Sequence, residues 1–201
     1  AALRSGIGMV RVLTIKEHVA PILSRAPELI VSYFKSVGEV RSIMNKSDAI
    51  LIGPGLGRDS WAKEMLETVL AGDRRLILDA DALNLLEEKQ MTDLRSKISI
   101  STPHPGEASR LLGLSTEQIQ RDRFTAVKSL QDLLGGTVVL KGNGTIIFDG
   151  NYFMICTGGN PGMATAGMGD VLAGVIASFL AQDFEMHFAA SLGVSLHSAA
   201  A

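Results

Sequence analysis

Residues 158–182 read GGNPGMATAGMGDVLAGVIASFLAQ. Five glycines and no lysine lie between Gly158 and Asp170, and an almost wholly apolar run follows. That run predicts a helix from about Asp170 to Ala181, apolar on all sides and so central to the fold. The first N–H groups of a helix lack intrahelical partners, and the helix dipole places partial positive charge there. Glycines let a ligand approach the backbone closely. A glycine run feeding a buried helix is therefore an anion site suited to phosphate. Asp170 puts negative charge beside that site. It reads either as an ordinary helix N-cap or as a base that takes a proton from a hydroxyl attacking phosphorus.

Working outward, apolar strands alternate with helical patterns. GMVRVLT (8–14) predicts a strand, and DAILIGPGLG places a buried strand at Ala49–Ile52 before a Gly/Pro turn. Ser60 is the expected cap of a helix to about Ala71. RLILDADALNLL is a strand ending at Asp79 and then a helix. ISISTPHPGEASRLLG is strand, turn and a helix stopped at Gly113, followed by one long helix from Thr116 to Leu134. TVVLKG, GTIIFDG and YFMICTGG are three short strands of a meander, and a last helix starts near Glu185. Most strands are apolar throughout, which predicts a mainly parallel sheet covered by helices on both faces, an α/β fold. Ligands of such sheets bind beyond the carboxyl ends of the strands. The segments there are Gly53–Gly57, Asp79–Asp81, Thr102–Pro105 and Lys141–Thr145.

Composition narrows the function. The chain has 201 residues, 46% hydrophobic and 20% charged, with a net charge of −2, so no basic nucleic-acid surface is indicated. Cys156 is the single cysteine, which fits a reducing, cytoplasmic setting. No stretch reads as a membrane span or signal peptide. AALRSG reads as the last turn of a helix closed by Gly6, and the other end stops inside a helical pattern. The expectation is one domain over 1–201, cut at both ends. GPGLGRDS lacks the lysine and spacing of a P-loop, and there is no G-x-G-x-x-G dinucleotide fingerprint.

GMGDVLAG resembles the anion-hole motif of the ribokinase-like superfamily. Together with IGPGLG, DADALNLL, TPHPGEASRLLG, VVLKGNGT and GNPGMATAGMGDVLAG, the chain resembles the bacterial ADP-dependent NAD(P)H-hydrate dehydratase family. The resemblance implies a three-layer α/β/α fold with a small antiparallel meander in the C-terminal third. It implies a repair reaction on NADH and NADPH hydrates: ADP phosphorylates the ring hydroxyl, AMP leaves, and loss of phosphate restores the ring. Asp170 matches the family's base. Gly167 and Gly169 would supply anion-hole N–H groups. Lys141, Gly142, Asn143, Gly144 and Thr145 match the nucleotide segment, and His104 matches a substrate-binding histidine. Gly55 and Gly57 would let substrate approach the backbone. Asp79 and Asn84 are further substrate candidates, although Asp79 also reads as a helix cap. Magnesium would come with the nucleotide, and no protein-held metal is expected. A homotetramer and a fused or separate hydrate epimerase are also implied. Two alternatives stand beside this reading: a vitamin-precursor kinase of the same superfamily, and an inactive nucleotide-binding sensor.

Overall fold

The computed structural model describes residues 1–87 and 95–201. A 3-10 turn, Ala2–Ser5, ends at Gly6 in the left-handed region, as the opening residues suggested. Then follow β1 (Arg11–Thr14), α1 (Lys16–Arg25), β2 (Ile30–Tyr33), α2 (Val37–Met44), β3 (Ala49–Ile52), α3 (Ser60–Leu70), β4 (Arg75–Leu78) and α4 (Ala80–Glu87). The second half carries β5 (Ile100–Ser101), α5 (Pro105–Leu112), α6 (Thr116–Arg121), α7 (Arg123–Leu134), β6 (Thr137–Leu140), β7 (Thr145–Phe148), β8 (Phe153–Cys156), α8 (Met168–Ala181) and α9 (Met186–Ala199).

Strands β3 to β8 form one sheet in sequence order. β3 to β6 are mutually parallel, and β6–β7–β8 is an antiparallel meander. The expected α/β layering follows from alternation along the strands. Ile77, Ile100, Val139 and Ile147 point to α8 and α9. Leu76 and Leu78 point oppositely, into a core with α3 and α4, and Val138, Leu140, Ile146 and Phe148 pack with α5–α7. β1 and β2 pair in parallel as a separate two-stranded sheet. Leu13 and Phe34 nevertheless pack against the core that also receives Ile50 of β3.

Several expectations are corrected. The first strand is shorter than 8–14. The helix after β3 is capped by Asp59, whose Oδ1 accepts the Ala62 N–H at 2.9 Å, and not by Ser60. The long helix from Thr116 is two helices. Asp122 ends α6 and caps α7 through the Thr125 N–H, because its φ of −141° cannot continue a helix. Residues α1, β2 and α2 had no counterpart in the sequence reading.

Candidate active site

The carboxyl ends of the parallel strands meet at one edge. β3 exits through Gly53, whose φ is +130°, and a Cβ there would overlap the Asp79 carbonyl oxygen. Only glycine allows these two strand ends to close together. Gly55 (φ +64°) and Gly57 (φ +78°) need glycine for conformation alone, since the space beside each is open. The Gly57 N–H donates to Asp81 Oδ2 at 2.9 Å, tying this loop to the start of α4.

β4 delivers Asp79, which is fully buried. Its Oδ1 accepts the Thr102 hydroxyl and the Lys141 ammonium, each at 2.8 Å. Its Oδ2 is buried with no hydrogen-bond partner. The reading of Asp79 as a helix cap is therefore corrected: its side chain is committed to the ends of β5 and β6. Ala80 has a φ of +47°, unusual for a residue with a Cβ, at the turn that aims Asp79 inward.

Lys141, at the end of β6, joins the other parts. Its Nζ is 2.8 Å from Asp79 and 3.8 Å from Glu107 Oε2, and a Cβ at Gly169 would stand 3.1 Å from it. The ammonium thus sits between two buried carboxylates and the first turn of α8. Expected to reach the nucleotide, it is placed at the glycine loop with Asp79 already engaged. The rest of its turn is compact: the Thr145 hydroxyl donates to the Gly142 carbonyl at 3.0 Å, Gly142 and Gly144 have positive φ, and Asn143 is exposed.

His104 is the N-cap of α5. Its Nδ1 accepts the Gly106 and Glu107 N–H groups at 2.9 and 3.3 Å, while Glu107 Oε2 accepts the His104 N–H at 2.7 Å. Nδ1 accepts only when unprotonated, which assigns the proton of the neutral ring to Nε2, 3.3 Å from Glu107 Oε1. Burial first, then Lys141 and Arg110, lower the histidine pKa, against Asp79. Burial raises the pKa of Glu107, with Lys141 opposing. The half-exposed side chain of His104 still borders the cleft. Asn84 accepts from Arg110 Nε and Nη2 at 3.0 and 2.6 Å, an α4–α5 link beside His104.

The glycine loop ends at Gly167, whose φ of +88° makes it the N-cap of α8 with no side-chain cap bond. Asp170 is the third residue of the helix and exposed, so it is not the cap. Burial raises its pKa most, then Asp79; Lys141 lowers it and Asp81 raises it. The structure thus sets Lys141 beside Asp79, Glu107 and Gly169, with Asp170 in electrostatic reach of Asp79, Asp81 and Lys141. Gly57 is tied to the same edge through Asp81, Gly55 lies in its loop, Gly167 caps the helix that carries Asp170, and His104 caps the helix that carries Glu107. Glu107 was missed, and Thr102 was named only within the Thr102–Pro105 segment, not as a site residue. Glu107 lay within the quoted TPHPGE stretch, three residues after His104, the spacing of a capping box.

The family model described as NAD(P)H-hydrate dehydratase matches residues 1–201. A bifunctional NAD(P)H-hydrate repair enzyme of Coxiella burnetii is 46% identical over 202 residues, which is 100% of this chain and 41% of the relative. The chain thus spans about two fifths of the bifunctional relatives it matches. A ribokinase-like superfamily protein from Enterococcus faecalis superposes with a TM-score of 0.89 at 38% identity, covering 98% of this chain and 70% of that one. The ADP/ATP-dependent NAD(P)H-hydrate dehydratase from Bacillus subtilis, co-crystallised with ATP/Mg2+, gives 0.83 at 30% identity, covering 98% and 71%.

Proposed function

This chain belongs to the NAD(P)H-hydrate dehydratase family, and on that premise we propose that it performs the ADP-dependent dehydration of NADH and NADPH hydrates. The observation that carries the reading is Asp170. It is an exposed carboxylate of raised pKa, in the first turn of the helix that follows the glycine loop, and it caps nothing.

The hydrate carries a hydroxyl on a carbon beside the ring nitrogen. Asp170 takes its proton, and the oxygen attacks the terminal phosphorus of ADP. AMP leaves. Backbone N–H groups at Gly167–Gly169 hold the charge that grows on the phosphoryl oxygens. Lys141 adds a fixed cation beside Gly169 and keeps the negative charge of Asp79 from repelling phosphate. The ring nitrogen lone pair then expels phosphate, and the neighbouring carbon loses a proton to re-form the double bond. Hydroxide would leave poorly; phosphate leaves well.

Three aspartates, Asp79, Asp81 and Asp170, bear on this cleft electrostatically against one lysine. That surplus of negative charge fits a magnesium ion arriving with the nucleotide, which would supply charge neutralisation of the phosphates when bound. The same reading includes a homotetramer, a cytoplasmic setting and a hydrate epimerase as fused or separate companion. Among the described residues no helix is long and apolar enough to cross a membrane.

The test is return of NADH absorbance when hydrate and ADP are mixed with the protein, with AMP and phosphate formed in equal amounts. Consumption of nucleotide with no return of absorbance would instead identify a kinase that releases a stable phosphate ester.

A further inference from the structure

Arg123, the first residue of α7, packs against the Lys141–Thr145 turn. We propose that it is a positioning residue for nucleotide binding, holding that turn in its binding shape; this rests on the turn being the nucleotide segment. Its Nη2 is 3.0 Å from the Leu140 carbonyl, 3.2 Å from that of Gly144 and 3.4 Å from that of Lys141. Its Nη1 donates to Gln120 Oε1 at 3.2 Å. One guanidinium therefore spans both ends of the turn and anchors it to the α6–α7 junction, where Asp122 fixes the helix start.

The fit is mutual. Gly142 has a φ of +143°, and a Cβ on it would overlap the Arg123 guanidinium. The glycine in this turn thus makes room for an arginine as well as for a ligand. The Nε of Arg123 is buried without a partner, a desolvation cost that the carbonyl contacts must offset. Holding the Lys141 carbonyl fixes the backbone from which its side chain reaches Asp79 and the first turn of α8. A lysine at 123 would keep the charge but lacks the planar fork that serves several carbonyls at once.

Beside Arg123 lies an open cavity of about 320 Å³, lined also by Asn143, Gly144 and Ile155. It gives a small cation access to the space that a truncated side chain would leave. The experiment measures ADP affinity by calorimetry for the wild type, Arg123→Lys and Arg123→Ala, with thermal unfolding alongside. Arg123→Lys should fold and bind ADP roughly ten- to a hundredfold more weakly, the range for losing a charge-assisted bond that orders a site. Added guanidinium ion at millimolar concentration should restore much of the affinity of Arg123→Ala and none to Lys141→Met. A purely structural role would lower the unfolding temperature of Arg123→Lys while folded protein bound ADP normally, and that result overturns the proposal, as does failure of guanidinium to restore binding. A wild type that binds no ADP overturns the nucleotide reading itself, and this inference with it.

Discussion

Replacing Asp170 separates its chemistry from its place in the helix. Gly167 is the N-cap of α8, and among the described residues the Asp170 side chain makes no hydrogen bond or ion pair. Asp170→Asn and Asp170→Ala should therefore behave alike in stability. An exposed side chain without partners changes stability within about 0.5 kcal/mol. Its pKa is raised by burial and by Asp79, so the folded state holds the carboxylate less readily than the unfolded chain. Both variants relieve that cost at neutral pH, and the small change should be towards greater stability. Turnover should fall in both by roughly 10²–10⁴, the share of a positioned general base. That is about 2.7–5.4 kcal/mol on the barrier. ADP should bind at least as well as to wild type, since a negative charge near phosphate is gone. The assay is hydrate-dependent return of NADH absorbance, beside calorimetric ADP binding and thermal unfolding. Turnover close to wild type in Asp170→Asn would refute the base. A clear loss of stability in Asp170→Ala alone would show that the side chain caps the helix after all.

Lys141→Met strands two buried carboxylates, Asp79 and Glu107, and should cost about 3–5 kcal/mol in urea unfolding; adding Asp79→Asn should recover part of it. Gly53→Ala should yield little folded protein, because its Cβ meets the Asp79 backbone, and a normal circular dichroism melt would contradict the close strand exit. His104 has a lowered pKa, so the unfolded chain takes up its proton first. The cap it forms is fully present above the ordinary histidine value of about 6.5 and is lost as pH falls through the lower folded pKa. His104→Asn keeps a cap acceptor without titrating there, and its unfolding temperature should fall less than that of wild type between neutral pH and pH about 5.

Where the sequence was readable, local chemistry set the outcome. Strands such as Val138–Leu140 are apolar because both faces are covered, and glycine and proline mark their exits. The site edge followed from those exits. The gaps have physical causes too. α1 contains Pro21 and buries no residue fully, so its pattern carries little periodicity. Asp122 breaks a run of good helix formers: aspartate is a favoured cap residue, but set among charged residues inside a helical pattern it also reads as an exposed helix position. Glu107 looks like a surface carboxylate until the fold brings it to Lys141, 34 positions away. The two readings of Asp170 stayed open because a left-handed Gly167 starts the helix earlier than the apolar pattern does.

The separate β1–β2 sheet has a consequence for how the molecule breathes. Of residues 1–48 only Val40 and Met44 are buried, whereas β5 and β6 are buried throughout. Free energies of partial opening follow buried apolar contact, so this lobe should exchange its amide hydrogens through excursions far less costly than global unfolding. Leu13 and Phe34 rest on the same core as Ile50 and Leu56, and Leu56 belongs to the Gly53–Gly57 loop. Each excursion therefore loosens one wall of the cleft while the sheet that carries Asp79 and Lys141 stays closed. Deuterium should enter at Val31 and Ser32 well before Ile77 and Val139, and a ligand seated against the Gly53–Gly57 loop should slow the first pair most.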